Sequence, residues 1–186
     1  MSDTLSVPDS QPGSALVSSV PRGEEFLRLY LSEMPVLLPI QHLTEVLSVP
    51  IGQIVPIPHT PPWVMGVYNW RGEILWMVDL GHLCGLIPWY QQSTYGSTHS
   101  VVVLQVQRHK ARSAFRQSSS AKNQILGLVV NQVGDIERCN LDMIQAPPSS
   151  SIMPELASLV RGYWWQAEGD MLAILDGTAI LEIMPK

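Results

Sequence analysis

Five prolines fall within the thirteen residues from Pro50 to Pro62. Proline has no amide hydrogen to give a sheet ladder and breaks a helix interior. The stretch therefore predicts an edge strand and loop, ending in a rigid Pro61–Pro62 corner. The same punctuation runs through the whole chain, where 15 prolines and 13 glycines interrupt 186 residues that are 46% apolar. Buried elements must be short, which favours strands over long helices.

The strands can be placed from their periodicity. In EFLRLYLSEM, Leu27, Leu29 and Leu31 alternate with Phe26, Arg28 and Tyr30, a period-2 strand expected to bury one face. VLLPI, from Val36, returns as its hairpin partner. QHLTEVLSVP fits either a short strand or a helical turn. Val64 to Tyr68 and Ile74 to Val78 read as strands flanking a turn, Asn69 to Glu73. Asp79 is a predicted N-cap for a short helix that Gly85 ends. Tyr90 to Ser100 reads as polar and turn-like, and SVVVLQV as a strand. Gln124 to Val130 and Gln132 to Arg138 give two more, and a short helix is expected near Pro154–Leu159. A last hairpin runs over Gly162–Gln166 and Met171–Leu175, before a closing helix or strand. About ten short strands with frequent turns predict an all-β chain, as barrels or a sandwich. Residues 1–22, rich in Ser and Pro, are expected to be a disordered tail, which leaves one domain over 23–186.

Charge narrows the function classes. Only 15% of residues are charged and the net charge is −5, which argues against a phosphate backbone as default partner. Five of the eleven basic residues, Arg108, Lys110, Arg112, Arg116 and Lys122, crowd the polar loop 108–123. A nucleic-acid site using 108–122 is thus the alternative function, although only Phe115 is there to stack on a base. The five histidines show no metal-ligand spacing, and no nucleophile elbow, phosphate loop or dinucleotide fingerprint occurs. No enzyme activity, cofactor or metal is expected. Cys84 and Cys139 form no CxxC and read as reduced, buried thiols. The N-terminus shows no basic region followed by an apolar run, so no signal peptide is expected, and no stretch of ~20 apolar residues occurs; a cytoplasmic protein without membrane insertion is the expectation. Of the six tryptophans, Trp164 and Trp165 should face opposite sides of a strand. Trp70 lies in a turn, where an aromatic suits an interface.

The block PHTPPWVMGVYNWRGEILWMVDL, with Pro58, Pro61, Gly66, Asn69, Arg71, Gly72, Val78, Asp79 and Leu80, resembles the signature of CheW-like domains, adaptors of bacterial chemosensory arrays. IQHLTEVL, with Ile40, Leu43, Glu45 and Val46, is similar to the segment before it. ILGLVVNQVGDI and the closing stretch with Gly162, Leu175 and Asp176 follow in order, so the likeness covers about 24–183. Trp70, Trp76 and Asn131 depart from the family's usual Leu, Pro and Asp, which marks a diverged member.

The resemblance implies two intertwined five-stranded SH3-like barrels sharing an apolar core, with short helices. It also implies a non-catalytic adaptor coupling methyl-accepting chemoreceptors to a CheA-type histidine kinase. The adaptor would meet the kinase's regulatory domain through a barrel end and the receptor's cytoplasmic tip in a groove between barrels. Val36, Leu38, Leu43, Glu45, Val64, Trp70 and Arg71 are the expected partner-binding residues. Arg71 has a second expected role, an ion pair with Glu45 that ties the turn.

Overall fold

A computed structural model describes residues 23–92, 96–106, 124–146, 154–166 and 169–184. The tail 1–22 and the basic loop 108–122 lie outside the described residues.

The chain starts in one sheet, builds a second, and returns to the first. Strands β1 (Gly23–Leu31) and β2 (Met34–Pro39) form a hairpin. A 3-10 turn, Ile40–His42, carries the chain across to β3 (Leu43–Pro50). There follow β4 (Val64–Trp70), β5 (Glu73–Asp79), helix α1 (Leu80–Leu83), β6 (Thr98–Val106) and β7 (Gln124–Val130). The return comprises β8 (Gln132–Asn140), β9 (Ile144–Gln145), α2 (Pro154–Ala157), β10 (Val160–Trp165), β11 (Met171–Leu175) and α3 (Gly177–Glu182). One sheet has the order β8-β1-β2-β11-β10-β9 and the other β3-β6-β7-β5-β4. The expected all-β architecture is present. The first sheet has six strands rather than five, because the two-residue β9 adds a rung to β10.

The apolar runs are long because the strands are buried on both sides. On β1, Leu27, Leu29 and Leu31 enter the core shared by the two sheets, while Phe26 enters a separate core with Leu37, Leu172 and Ile174. The single buried face expected for this strand is corrected accordingly. On β6, Val102 and Leu104 face the shared core, and Val101 and Val103 pack with Leu75, Met77 and Val129 inside the five-stranded barrel.

The open alternatives resolve by context. QHLTEVLSVP becomes β3 because it pairs with β6 from Leu43↔Leu104 to Pro50↔Thr98. The final segment becomes α3, capped by the Asp176 carboxylate, which accepts from the Thr178 N–H at 2.8 Å. Strand β6 begins at Thr98, earlier than its polar start suggests, because Thr98 and His99 find partners in Pro50 and Val49. Asp79 caps α1 as expected, accepting from the His82 N–H at 3.0 Å. The proline-rich stretch contributes a single bridge, Val55 to Val67. Gly66, at φ +140°, makes that approach possible: a Cβ there would sit 2.2 Å from the Val55 carbonyl oxygen.

Candidate partner-binding surface

The β4–β5 hairpin closes through two residues, Arg71 and Gly72, after the last pair Trp70↔Glu73. Their φ angles are +52° and +85°. This is the doubly left-handed turn that matches strand twist. Glycine takes that conformation freely. Arginine takes it at a cost of about 1–2 kcal/mol, so something must hold Arg71 there. Part of the answer is Asn69, whose Oδ1 accepts from the Gly72 N–H at 3.0 Å.

The rest comes from across the barrel. Glu45 shares a face of β3 with Leu47 and Val49, which pack inside the five-stranded barrel. It lies one step beyond that apolar layer, so its carboxylate sits at the barrel mouth. One oxygen accepts from the Trp70 indole N–H. The other accepts from Arg71 Nη2 at 2.8 Å. The guanidinium carbon lies 5.2 Å from the Trp70 ring centroid, within cation–π range. Because β3 and β4 are the two edges of the sheet, this three-residue clasp ties the edges together. The Glu45–Arg71 pair expected from the sequence is present. The indole donor to Glu45 was not anticipated, although tryptophan at a position where the family usually has leucine was its signal.

The seven predicted partner-binding residues divide cleanly. Glu45, Trp70 and Arg71 meet in the clasp, and Leu43 lies half-buried against the shared core. Val36 and Leu38 are 0% exposed and Val64 is 8% exposed. Those three are core residues and present nothing to a partner, which corrects the expectation. Two exposed apolar side chains near the clasp were missed: Val46, next to Glu45, and Ile74, just past the turn at 75% exposed. Ile74 has the parity of Trp76 and Val78, which reach the shared core. It lies beyond the end of that core, a position only the tertiary fold reveals.

Elsewhere, Trp164 is half-buried and Trp165 exposed, on opposite faces as expected. Both cysteines are free and buried. Burial pushes the Cys84 thiol up to about 12, reinforced by the Asp79 charge. Among the described residues no cluster of His, Cys, Asp and Glu could hold a metal ion, and no helix is long and apolar enough to cross a membrane.

Comparisons with known proteins agree with this architecture. Residues 25–183 match the CheW-like domain family. Over 95 residues the chain is 30% identical to a Rhizobium etli protein described as "Probable chemotaxis protein CheW", covering 51% of this chain and 49% of that one. Over 69 residues it is 33% identical to "Protein FrzA" of Myxococcus xanthus, covering 37% and 42%. In both cases the matched stretch spans under half of the relative's length. The crystal structure of the scaffolding protein TtCheW from Thermoanaerobacter tengcongensis superposes with a TM-score of 0.63 at 21% identity, over 83% of this chain and 89% of that one. With a family match from 25 to 183, two interlocked sheets around a shared core and the N-W-R-G turn in its place, the chain belongs to the CheW-like domain family.

Proposed function

We propose that this protein is a non-catalytic adaptor that couples methyl-accepting receptors to a CheA-type histidine kinase in a chemosensory or motility system. The observation that carries it is the clasp: an exposed arginine and a tryptophan held on a rigid turn at one end of a barrel. Ordering these side chains before binding lowers the entropic cost of association. The kinase's regulatory domain meets this barrel end through Arg71, with Leu43, Val46 and Ile74 as the apolar surround. The receptor's cytoplasmic tip rests in the groove between the barrels on the side of the Ile40–His42 crossover. Both contacts lie in the cytoplasm. The alternative, nucleic-acid binding through 108–122, gains nothing from a net charge of −5.

The test is a pull-down from native cell extract with wild type and Arg71→Ala, folding of both being checked by circular dichroism. Recovery of a histidine kinase or receptor by wild type, and its loss with the folded variant, supports the adaptor with Arg71 at the interface. Recovery by both keeps the adaptor and reduces Arg71 to turn structure. Recovery by neither overturns the adaptor.

A further inference from the structure

A second surface lies at the opposite end of both sheets. Leu43 marks the clasp end of β3 and pairs with Leu104, whereas Pro50 pairs with Thr98. Seven residues of strand separate the two ends by about 23 Å. At the far end a cleft of about 860 Å³ opens between the sheets, lined by the β1–β2 turn, the start of β6, the end of β7 and the loop after α1.

Its walls are tied together by polar contacts. The Asn131 Oδ1 accepts from the Ser32 N–H at 2.7 Å, and its amide nitrogen donates to the Gln92 side chain. An aspartate at 131, usual in the family, has no proton to give Gln92. Asn131 therefore joins three cleft segments, whereas an aspartate in this geometry would keep the Ser32 bond and lose the one to Gln92. Asp79 fixes the remaining wall, its second oxygen accepting from the Trp89 N–H at 2.9 Å. The Trp89 ring meets the His99 ring edge-on, with centroids 4.6 Å apart.

The charge of this cleft is one-sided. Glu33 and Asp79 line it, and no lysine or arginine does among the described residues. Asp79 is 4% exposed and has no cationic partner among them. The His99 Nε2 is buried with no hydrogen-bond partner among the described residues. A buried nitrogen without a partner leaves hydrogen-bonding capacity unused.

We propose that this cleft is a docking site for one arginine or lysine side chain, presented by a loop of a partner protein. The ligand's charge complements Glu33 at the mouth and Asp79 within. Its N–H groups find acceptors in Glu33 and in the hydroxyls of Ser32 and Ser100, all of which line the cleft. Burial holds the His99 imidazole below its ordinary value of 6.5, with the Asp79 carboxylate pulling partway back. A ring that takes up a proton less readily adds little positive charge to oppose the ligand. Anionic ligands meet two carboxylates and are repelled.

The test uses the full chain, ¹⁵N-labelled, titrated with the peptide Ac-Gly-Arg-Gly-NH₂ and separately with its neutral citrulline isostere. The expected result is saturable shifts of the Ser32 N–H, the Asn131 side-chain amide and the Trp89 indole. The citrulline peptide binds at least about tenfold more weakly, since it lacks the charge. Glu33→Gln, at an exposed turn position, weakens the arginine peptide about threefold and flattens its salt dependence. Equal binding of the two peptides, shifts centred on the clasp, or no saturable shift overturns the proposal. So does the same set of shifts on concentrating the protein alone, which assigns the cleft to a second copy. None of these outcomes bears on the kinase pull-down, so the two ideas fail separately.

Discussion

The indole N–H of Trp70 donates to the carboxylate of Glu45, although the two residues sit on opposite edges of one five-stranded sheet. The same carboxylate accepts from Arg71 through its other oxygen. One acidic side chain thus closes the barrel mouth and orients the turn that carries the exposed arginine.

The clasp makes the contributions of Glu45 and Trp70 interdependent. The Arg71 side chain is 69% exposed, so its ion pair alone adds only about 0.2–1 kcal/mol. The half-buried indole bond adds about 1.5–3 kcal/mol, because its acceptor is charged. Glu45→Gln and Trp70→Phe, singly and together, measured by urea denaturation, should give a coupling energy of about 1–2 kcal/mol. Additive effects would show that the two side chains act independently.

Leu38 was expected at a partner surface and is instead 0% exposed in the shared core. Leu38→Ala should cost about 2–5 kcal/mol of stability. Once folding is restored by low temperature, kinase affinity per folded molecule should be unchanged. A fully stable variant with weakened binding would return Leu38 to the interface.

Gly66 should tolerate no side chain. Its Cβ would meet the Val55 carbonyl at 2.2 Å with φ at +140°. Gly66→Ala must strain the backbone or release the Val55–Val67 bridge, costing about 2–4 kcal/mol. Amide exchange should then accelerate at Val55 and Val67, whose N–H groups donate to each other's carbonyls at 2.8 and 2.9 Å.

The histidine in the cleft should make the fold acid-sensitive. Burial lowers the His99 value below 6.5, and Asp79, the charged group facing it, only partly offsets this. The unfolded chain therefore binds the proton more readily. Stability is fully present above pH 6.5 and is lost as pH falls through the lower folded value. His99→Gln should flatten this part of the stability–pH curve, read by thermal melts between pH 7 and pH 5.

The thiols should respond in the opposite direction. Cys84 is raised from 9.0 to about 12, chiefly by burial. The folded state holds its proton where the unfolded chain has lost it, so stability should decline as pH rises from 9 towards 12. In native protein at pH 8, Cys84 should react with a thiol reagent only as fast as the chain opens. Rapid labelling would mean that the site is accessible.

Much of the fold was legible because strand parity, proline and glycine act locally. The alternation in EFLRLYL, a hairpin turn within Asn69 to Glu73 and the Asp79 cap all follow from covalent geometry and from hydrogen bonds within a few residues; that the turn narrows to Arg71 and Gly72 came from the strand pairing. The Glu45–Arg71 pair was legible only through family resemblance, since 26 residues separate its members. The tertiary structure alone decided which apolar positions are sealed and which remain open. Val36 and Ile74 are both β-branched strand residues. Val36 lies where two sheets face each other and Ile74 lies just past the end of that overlap. The cleft at the far end likewise arises from segments distant in the chain, where the Ser32 backbone N–H and the Gln92 side chain meet the Asn131 side chain only after the sheets have packed. Sequence determines what each strand can bury, because that choice is made within two residues. The sheets decide what each strand does bury, because burial needs a partner from elsewhere in the chain.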